Sequence, residues 1–227
     1  MTNSTTTDNG LSRVNNVSAV NQANTTVILD TGCANLSSVR FAFERLQANV
    51  IVSADHQVIK SAARVVLPGV GTAGAAMDAL VNRDLVTIIN SLTQPVMGVC
   101  LGMQMLAEKS NEHGGRTDSD IDCLGLIPTQ INDLDSQGLP LPHMGWNQIS
   151  VSDHPLFDGI EDGSYVYFVH SFKAPISEYT IATSQYGESF SAAIGKDNFF
   201  GVQFHPEKSA AIGSKILQNF LNMGSQA

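Results

Sequence analysis

Between Thr26 and Lys109 the chain alternates short β-branched runs with longer stretches of helical periodicity, and this alternation constrains the fold more than any other feature. TTVILD reads as a buried strand, after which Leu36, Val39, Phe43 and Leu46 fall at i, i+3, i+7 and i+10 on one helix face. VIVSA (50–54), RVVLPG (64–69) and PVMGVC (95–100) are further strand-like runs, separated by helix-compatible stretches such as 74–85 and 101–109. Parallel neighbours need crossover connections, so the pattern predicts an α/β fold with a mostly parallel central sheet flanked by helices. The second half changes character. Runs at 163–172, 179–187, 189–196 and 199–207 are split by turn residues with little helix between them, which predicts an antiparallel or mixed extension of the sheet. A final helix carries the apolar stripe Ile212, Ile216, Leu217 and Phe220, with Ser209 in N-cap position.

Upstream of this pattern, 16 of the first 26 residues are Ser, Thr, Asn or Gln, too polar a stretch to offset the entropy of ordering. The expected organisation is therefore a disordered extension over 1–25 and one domain over 26–227. A net charge of −9 argues against nucleic acid as a partner and against a polybasic membrane anchor. No apolar run approaches the roughly 18 to 20 residues of a membrane span, and the N-terminus has no signal-peptide pattern. Cys33, Cys100 and Cys123 are odd in number and lack metal-site or CxxC spacing, so neither a disulfide framework nor a metal is suggested and a reducing cytoplasm fits.

Three segments carry candidate chemistry. GVCLG (98–102) puts Cys100 at a strand end between glycines at minus two and plus two, before a helical stretch. That is the cysteine form of a nucleophile elbow: the helix N-terminus favours a thiolate, and the Leu101 amide points where an oxyanion forms. A buried structural cysteine is the alternative. In QFHPE (203–207), residues two apart share a face, so Glu207 can orient and charge-stabilise His205; an incidental surface pair is the alternative. LPGVGTAG (67–74) allows close backbone approach to an oxyanion, and no lysine between Lys60 and Lys109 supports a phosphate loop instead. All three fit one edge of the sheet, where open α/β sheets bind ligands.

GVCLGMQ, PGVG and QFHPE, in this order, resemble the class I (triad) glutamine amidotransferases, with a flavodoxin-like core, over essentially all of 26–227. PLPHMGWN (140–147) and YFVHSF (167–172) are similar to the branch that forms the glutaminase subunits of imidazole glycerol phosphate synthase in histidine biosynthesis. The resemblance implies hydrolysis of L-glutamine with Cys100 as nucleophile, His205 as acid/base and Glu207 as its orienting residue. It assigns the oxyanion hole to Gly69, Val70, Gly71 and Leu101, and glutamine contacts to Gln104, Glu112, Ser171 and Phe172. It implies no cofactor. It also implies a heterodimer with a (β/α)8-barrel cyclase subunit that receives the ammonia and makes imidazole glycerol phosphate and the aminoimidazole carboxamide ribonucleotide. Thr31, Ala34 and Phe172 depart from the family pattern, Phe172 standing where tyrosine is usual.

Trp146, the one tryptophan, sits in a glycine- and proline-bordered segment read as a loop; packing in the core is the ordinary role, and the resemblance favours a partner interface shared with His143 and Asn35. His170 is read as structural or supporting the site. His56, His113 and His154 are expected to be solvated, and Cys33 and Cys123 to act as small apolar residues. A free-standing cysteine hydrolase and a non-catalytic binding module remain the competing classes; intact triad positions disfavour the second.

Overall fold

The computed structural model describes residues 24–32, 36–112 and 120–223. The extension expected over 1–25 lies outside them apart from Asn24 and Thr25, and Cys33, Ala34, Asn35 and His113 lie outside them too. In the first half, β1 (Thr25–Leu29), β2 (Asn49–Ser53), β3 (Arg64–Gly69) and β4 (Val96–Cys100) alternate with α1 (Leu36–Arg45), α2 (His56–Ser61), α3 (Ala73–Asn82), α4 (Leu85–Asn90) and α5 (Leu101–Met105). Then come the short β5 (Lys109–Ser110), β6 (Ile121–Asp122) and β7 (Gln130–Asp133). β8 (His143–Val151), β9 (Ser164–His170), β10 (Phe172–Lys173), β11 (Thr180–Tyr186), β12 (Glu188–Lys196), β13 (Phe199–Val202) and α6 (Ala210–Asn222) complete the chain.

Nine strands form one sheet in the order β2-β1-β3-β4-β13-β12-β11-β8-β9. Every pairing from β2 to β13 is parallel and every pairing from β13 to β9 is antiparallel. The inner parallel strands β1, β3, β4 and β13 are buried on both faces, which is why they read as continuous apolar runs, whereas β2 at the edge is partly exposed. Val27, Leu29, Val65 and Leu67 face the side covered by α2 to α5, whereas Ile28, Val66 and Met97 face α1 and α6. Across that second layer Phe43 and Phe220 meet with ring centroids 6.3 Å apart. A second sheet, β10-β7-β5-β6, is made of strands two to four residues long.

Four details differ from the sequence reading. The domain boundary expected at 26 moves to Thr25, the first residue of TTVILD, which pairs with Asn49 of β2 and whose hydroxyl accepts a 2.7 Å hydrogen bond from the Asn49 side chain. The helix expected over 101–109 stops at Met105: the carbonyls of Met105, Leu106 and Ala107 accept from the amides of Leu124, Leu126, Ile127 and Gly125, so the chain is drawn into the second sheet. The helical stretch 74–85 ends at Asn82, and Asp84 at φ +56° separates it from α4. The Trp146 segment is no loop but part of β8, paired antiparallel with β9 from His143 to Ile149.

Candidate active site

Cys100 closes β4 and immediately precedes α5, with φ +54° and ψ −113°, a conformation L-residues rarely adopt. The flanking glycines are what permit it. A Cβ at Gly102 would overlap the Leu67 carbonyl of β3, and one at Gly98 would sit 2.5 Å from the Gly102 carbonyl oxygen. The strand-to-helix turn is thus pressed against its neighbour too closely for any side chain at either position. Gly69, at the end of β3, is in direct register with Cys100, so the segment Gly69–Val70–Gly71 leaves the sheet beside the thiol. Gly71 has φ +95°, and Leu101 begins α5, where the first amides have no intrahelical acceptor.

On the other side of β4, β13 leads into His205 and Glu207. His205 Nδ1 and Glu207 Oε1 are 2.8 Å apart, and the Glu207 side chain is 2% exposed. Burial disfavours the charged imidazole, but hydrogen bonding and charge from Cys100 and from Glu207 outweigh it and raise the His205 pKa to about 9. The ring is therefore protonated at neutral pH, with Nδ1–H directed to the carboxylate and Nε2 buried on the side of the thiol. Two hydrogen bonds fasten this turn to β9, His205 N to the Tyr167 carbonyl (2.8 Å) and Tyr167 N to Ser209 Oγ (2.9 Å), and a third, Ser209 Oγ to the His205 carbonyl (2.7 Å), closes the turn on itself. Ser209 occupies the N-cap position of α6 as expected, yet its hydroxyl serves this staple and makes no cap bond.

The candidate glutamine contacts converge from three elements. Gln104 of α5, one turn beyond Cys100, donates from Nε2 to the Phe172 carbonyl (3.2 Å) and to Gln203 Oε1 (2.9 Å). Gln203 was not singled out by its sequence context. It is fully buried, and its Nε2 lies 3.8 Å from Cys100 Sγ, which is also 3.8 Å from the Val169 carbonyl oxygen. The strand-like reading of 199–207 holds only to Val202: Pro206 starts a one-turn 3-10 helix over Pro206–Lys208, so His205 and Glu207 meet across a turn and not by strand alternation. The second sheet sets the rest. β7 pairs parallel with β5 and antiparallel with β10, so Phe172 lies opposite Asp133 while the chain after Ser110 runs on alongside to Glu112. The Glu112 carboxylate accepts from Ala73 N at 2.8 Å, at the start of α3, and its pKa is raised by burial and by Asp133, against the lowering effect of that hydrogen bond. The Ser171 carbonyl accepts from Leu134 N. Phe172 enters this network through its backbone oxygen alone, so the hydroxyl of the usual tyrosine has no part in these bonds.

The residues expected at a partner surface separate by strand parity. Trp146 (52% exposed) and Met144 (62%) point outward from β8, with Trp146 set edge-on to Tyr167 of β9. His143, one and three positions away, cannot share that face: it is 3% exposed and its ring lies between Phe168 and Tyr186. His170 is buried beside it. His154, expected in solvent, is half-buried against Phe200, accepts from Leu156 N, and has its pKa lowered by that burial. His56 is exposed. Burial, with the Asp122 and Glu112 charges, pushes the Cys123 thiol up to about 12, which makes it inert. Thr31 is buried. Among the described residues no cluster of His, Cys, Asp or Glu could hold a metal ion, and no helix is long and apolar enough to cross a membrane.

An α/β sheet with a thiol elbow facing a carboxylate-held imidazole defines a hydrolase of the cysteine-triad type, and residues 27–223 match the model of the family described as glutamine amidotransferase class-I. The chain belongs to that family. It is 71% identical over 203 residues to the imidazole glycerol phosphate synthase subunit HisH of Shewanella sediminis, covering 89% of this chain and 93% of the relative. The HisH subunit of Vibrio cholerae is 52% identical over 198 residues, covering 87% and 98%. Among solved structures, PurLQS of Thermotoga maritima aligns with a TM-score of 0.62 at 19% identity, over 87% of this chain and 97% of that one. A crystal structure of a glutamine amidotransferase gives 0.66 at 13%, over 87% and 98%. At such identities the two structures speak for the fold alone.

Proposed function

We propose that this chain is the glutaminase subunit of an imidazole glycerol phosphate synthase, hydrolysing L-glutamine to glutamate and ammonia at Cys100, His205 and Glu207. The observation that carries the reading is the Cys100 elbow beside an imidazole that Glu207 holds at 2.8 Å. Cys100 sulfur attacks the carboxamide carbon, and the charge that develops on oxygen is taken by amides of the Gly69–Val70–Gly71 segment and of Leu101. His205 gives its proton to the departing nitrogen, which leaves as ammonia. A water then gives a proton back to His205 while its hydroxide attacks the thioester, which restores the Cys100 thiolate beside the imidazolium and releases glutamate, its carboxyl proton passing to solvent. Gln104, Glu112 and the backbone at Ser171 and Phe172 hold the α-amino and α-carboxyl ends of the substrate.

Ammonia acts as a nucleophile only while unprotonated, so a site that opened to water would lose most of it. A synthase partner solves this by capping the site. The apolar outer face of β8 and β9, with Met144, Trp146 and Tyr165 more than half exposed, supports docking of a cyclase subunit there, a (β/α)8 barrel through which ammonia passes to the nucleotide. Asn35, close in sequence to α1, joins this interface in the same reading. A catalytic thiol fits the reducing cytoplasm. The test is Cys100→Ala in the assembled complex. Glutamine-dependent synthesis is lost, and synthesis driven by added ammonium is kept because the cyclase needs no thiol from this chain. Glutamine-driven turnover that survives the substitution refutes the assignment.

A further inference from the structure

Two buried histidines outside the triad form a hydrogen-bonded pair whose direction can be derived. His170 Nδ1 is 2.8 Å from the Phe172 carbonyl, which can only accept, so His170 carries its proton on Nδ1. Its Nε2 lies 2.9 Å from His143 Nδ1. In a neutral His170 that Nε2 must accept, so His143 also carries its proton on Nδ1 and presents a lone pair at Nε2. Asn147 Nδ2, 3.2 Å away, donates to that lone pair, and its other proton goes to the Gln185 carbonyl at 2.8 Å. Every ring nitrogen is used, and every bond runs the same way: Asn147 to His143, His143 to His170, His170 to the Phe172 carbonyl. Gln104 donates to the same carbonyl from the opposite side and connects through Gln203 to Cys100.

The surroundings hold both rings neutral. Phe168 and Tyr186 stack on His143, at 4.8 and 4.1 Å between centroids, and Phe190 packs against both histidines. Burial lowers the pKa of His143 to about 4; for His170, burial, His143 and the charge of His205 lower it to about 3 against the hydrogen bond to Phe172. A proton added to His170 would make His143 Nδ1 the acceptor and move its proton to Nε2, against the Asn147 donor, so the bonded chain as it stands resists titration near neutral pH. What it can do is fix geometry. The Phe172 carbonyl sits in the two-residue strand β10, held in the second sheet by two cross-strand register positions only, so its orientation depends on the side chains that donate to it.

We propose that His170 and His143 are positioning residues of the glutamine site: the relay from Asn147 on β8 sets the Phe172 carbonyl, and with it Gln104, for substrate. The inference rests on the glutaminase reading above. It also gives PHMGWN, with the histidine of YFVHSF, a role beyond an outward-facing tryptophan, since His143 and Asn147 are the inward positions of the strand that carries Trp146 on its outer face.

The test combines spectroscopy with kinetics on the full chain bound to its cyclase. In ring-15N NMR both histidines show the neutral Nδ1–H tautomer, unchanged from pH 5.5 to 8.5. An Nε2–H tautomer or an imidazolium at either position overturns the proposal, and this readout does not depend on activity, so it stands apart from failure of the glutaminase reading, which Cys100→Ala decides. His170→Phe keeps the ring shape and removes both nitrogens; the KM for glutamine rises about tenfold, with the smaller part of the effect in kcat. His170→Asn, whose amide nitrogen takes the place of Nδ1, recovers KM to within about threefold of wild type by the same reasoning. A His170→Phe enzyme that folds and keeps its KM within about twofold, or an Asn variant no better than Phe, reduces the pair to core packing.

Discussion

Glu207→Gln tests the electrostatic centre of the site. The amide keeps the shape and an oxygen to accept from His205 Nδ1–H, so the change is one of charge. Burial works against the imidazolium, and Cys100 and Glu207 together lift its pKa from 6.5 to about 9. At about 1.4 kcal/mol per tenfold this is roughly 3 kcal/mol of net support for the charged ring. With the carboxylate gone and the burial unchanged, the His205 pKa drops by about one to two pH units. Titration of the His205 ring by NMR reads this directly. The alkaline limb of kcat/KM for glutamine moves down with it, and kcat at pH 7.5 falls by on the order of a hundredfold or more. The sign for stability follows from linkage. A pKa raised above its unfolded value contributes stability that is complete below about pH 6.5 and is lost as pH rises through about 9. Wild type therefore loses up to about 3 kcal/mol across that window, and the Gln variant loses clearly less, as urea unfolding at pH 6 and pH 9.5 measures. A ring that titrates within half a unit of wild type, with the same difference in urea midpoint, would show that Glu207 is a bystander.

Gly102→Ala gains about 1 kcal/mol in helix propensity but drives a Cβ into the Leu67 carbonyl, at about 1 to 3 kcal/mol of overpacking; urea unfolding shows a net loss, and glutamine turnover falls as the elbow shifts. A more stable variant would mean that α5 can move freely away from β3. Phe172→Tyr leaves the KM for glutamine within about twofold, because the backbone carbonyl carries the contact; a large improvement in steady-state kinetics would show that the hydroxyl matters. Trp146→Ala leaves the melting temperature nearly unchanged, since half the side chain is exposed, and weakens cyclase binding by about 2 kcal/mol, or some thirtyfold in Kd by calorimetry. Unaltered affinity would move the interface elsewhere.

Much of the parallel half was legible because its signals are enforced locally. GVCLG has glycines at two fixed offsets because the backbones of β3, β4 and α5 meet there without room for a Cβ, and the same crowding makes the motif recognisable. The second sheet was invisible for the opposite reason. Its strands are two to four residues long, below any periodicity, and exist because the carbonyls at the end of α5 find partners in 124–127. The Trp146 segment reads as a loop because Gly145, Pro140 and Pro142 border it, whereas cross-strand pairing with β9 makes it a strand. The resemblance groups His143 with Trp146 at one interface, and the odd spacing between them on β8 puts them on opposite faces.

The site depends on both halves of the sheet, and β13 is where they meet. It pairs parallel with β4 through Phe199–Val202 and antiparallel with β12, so the nucleophile and the residues that follow β13 sit on neighbouring parallel strands. β9 is the ninth strand in order, yet its Val169 carbonyl lies 3.8 Å from Cys100 Sγ and its Tyr167 is bonded to His205 and Ser209. The antiparallel extension must therefore curl back over the carboxyl ends of β4 and β13 and act as a wall of the site.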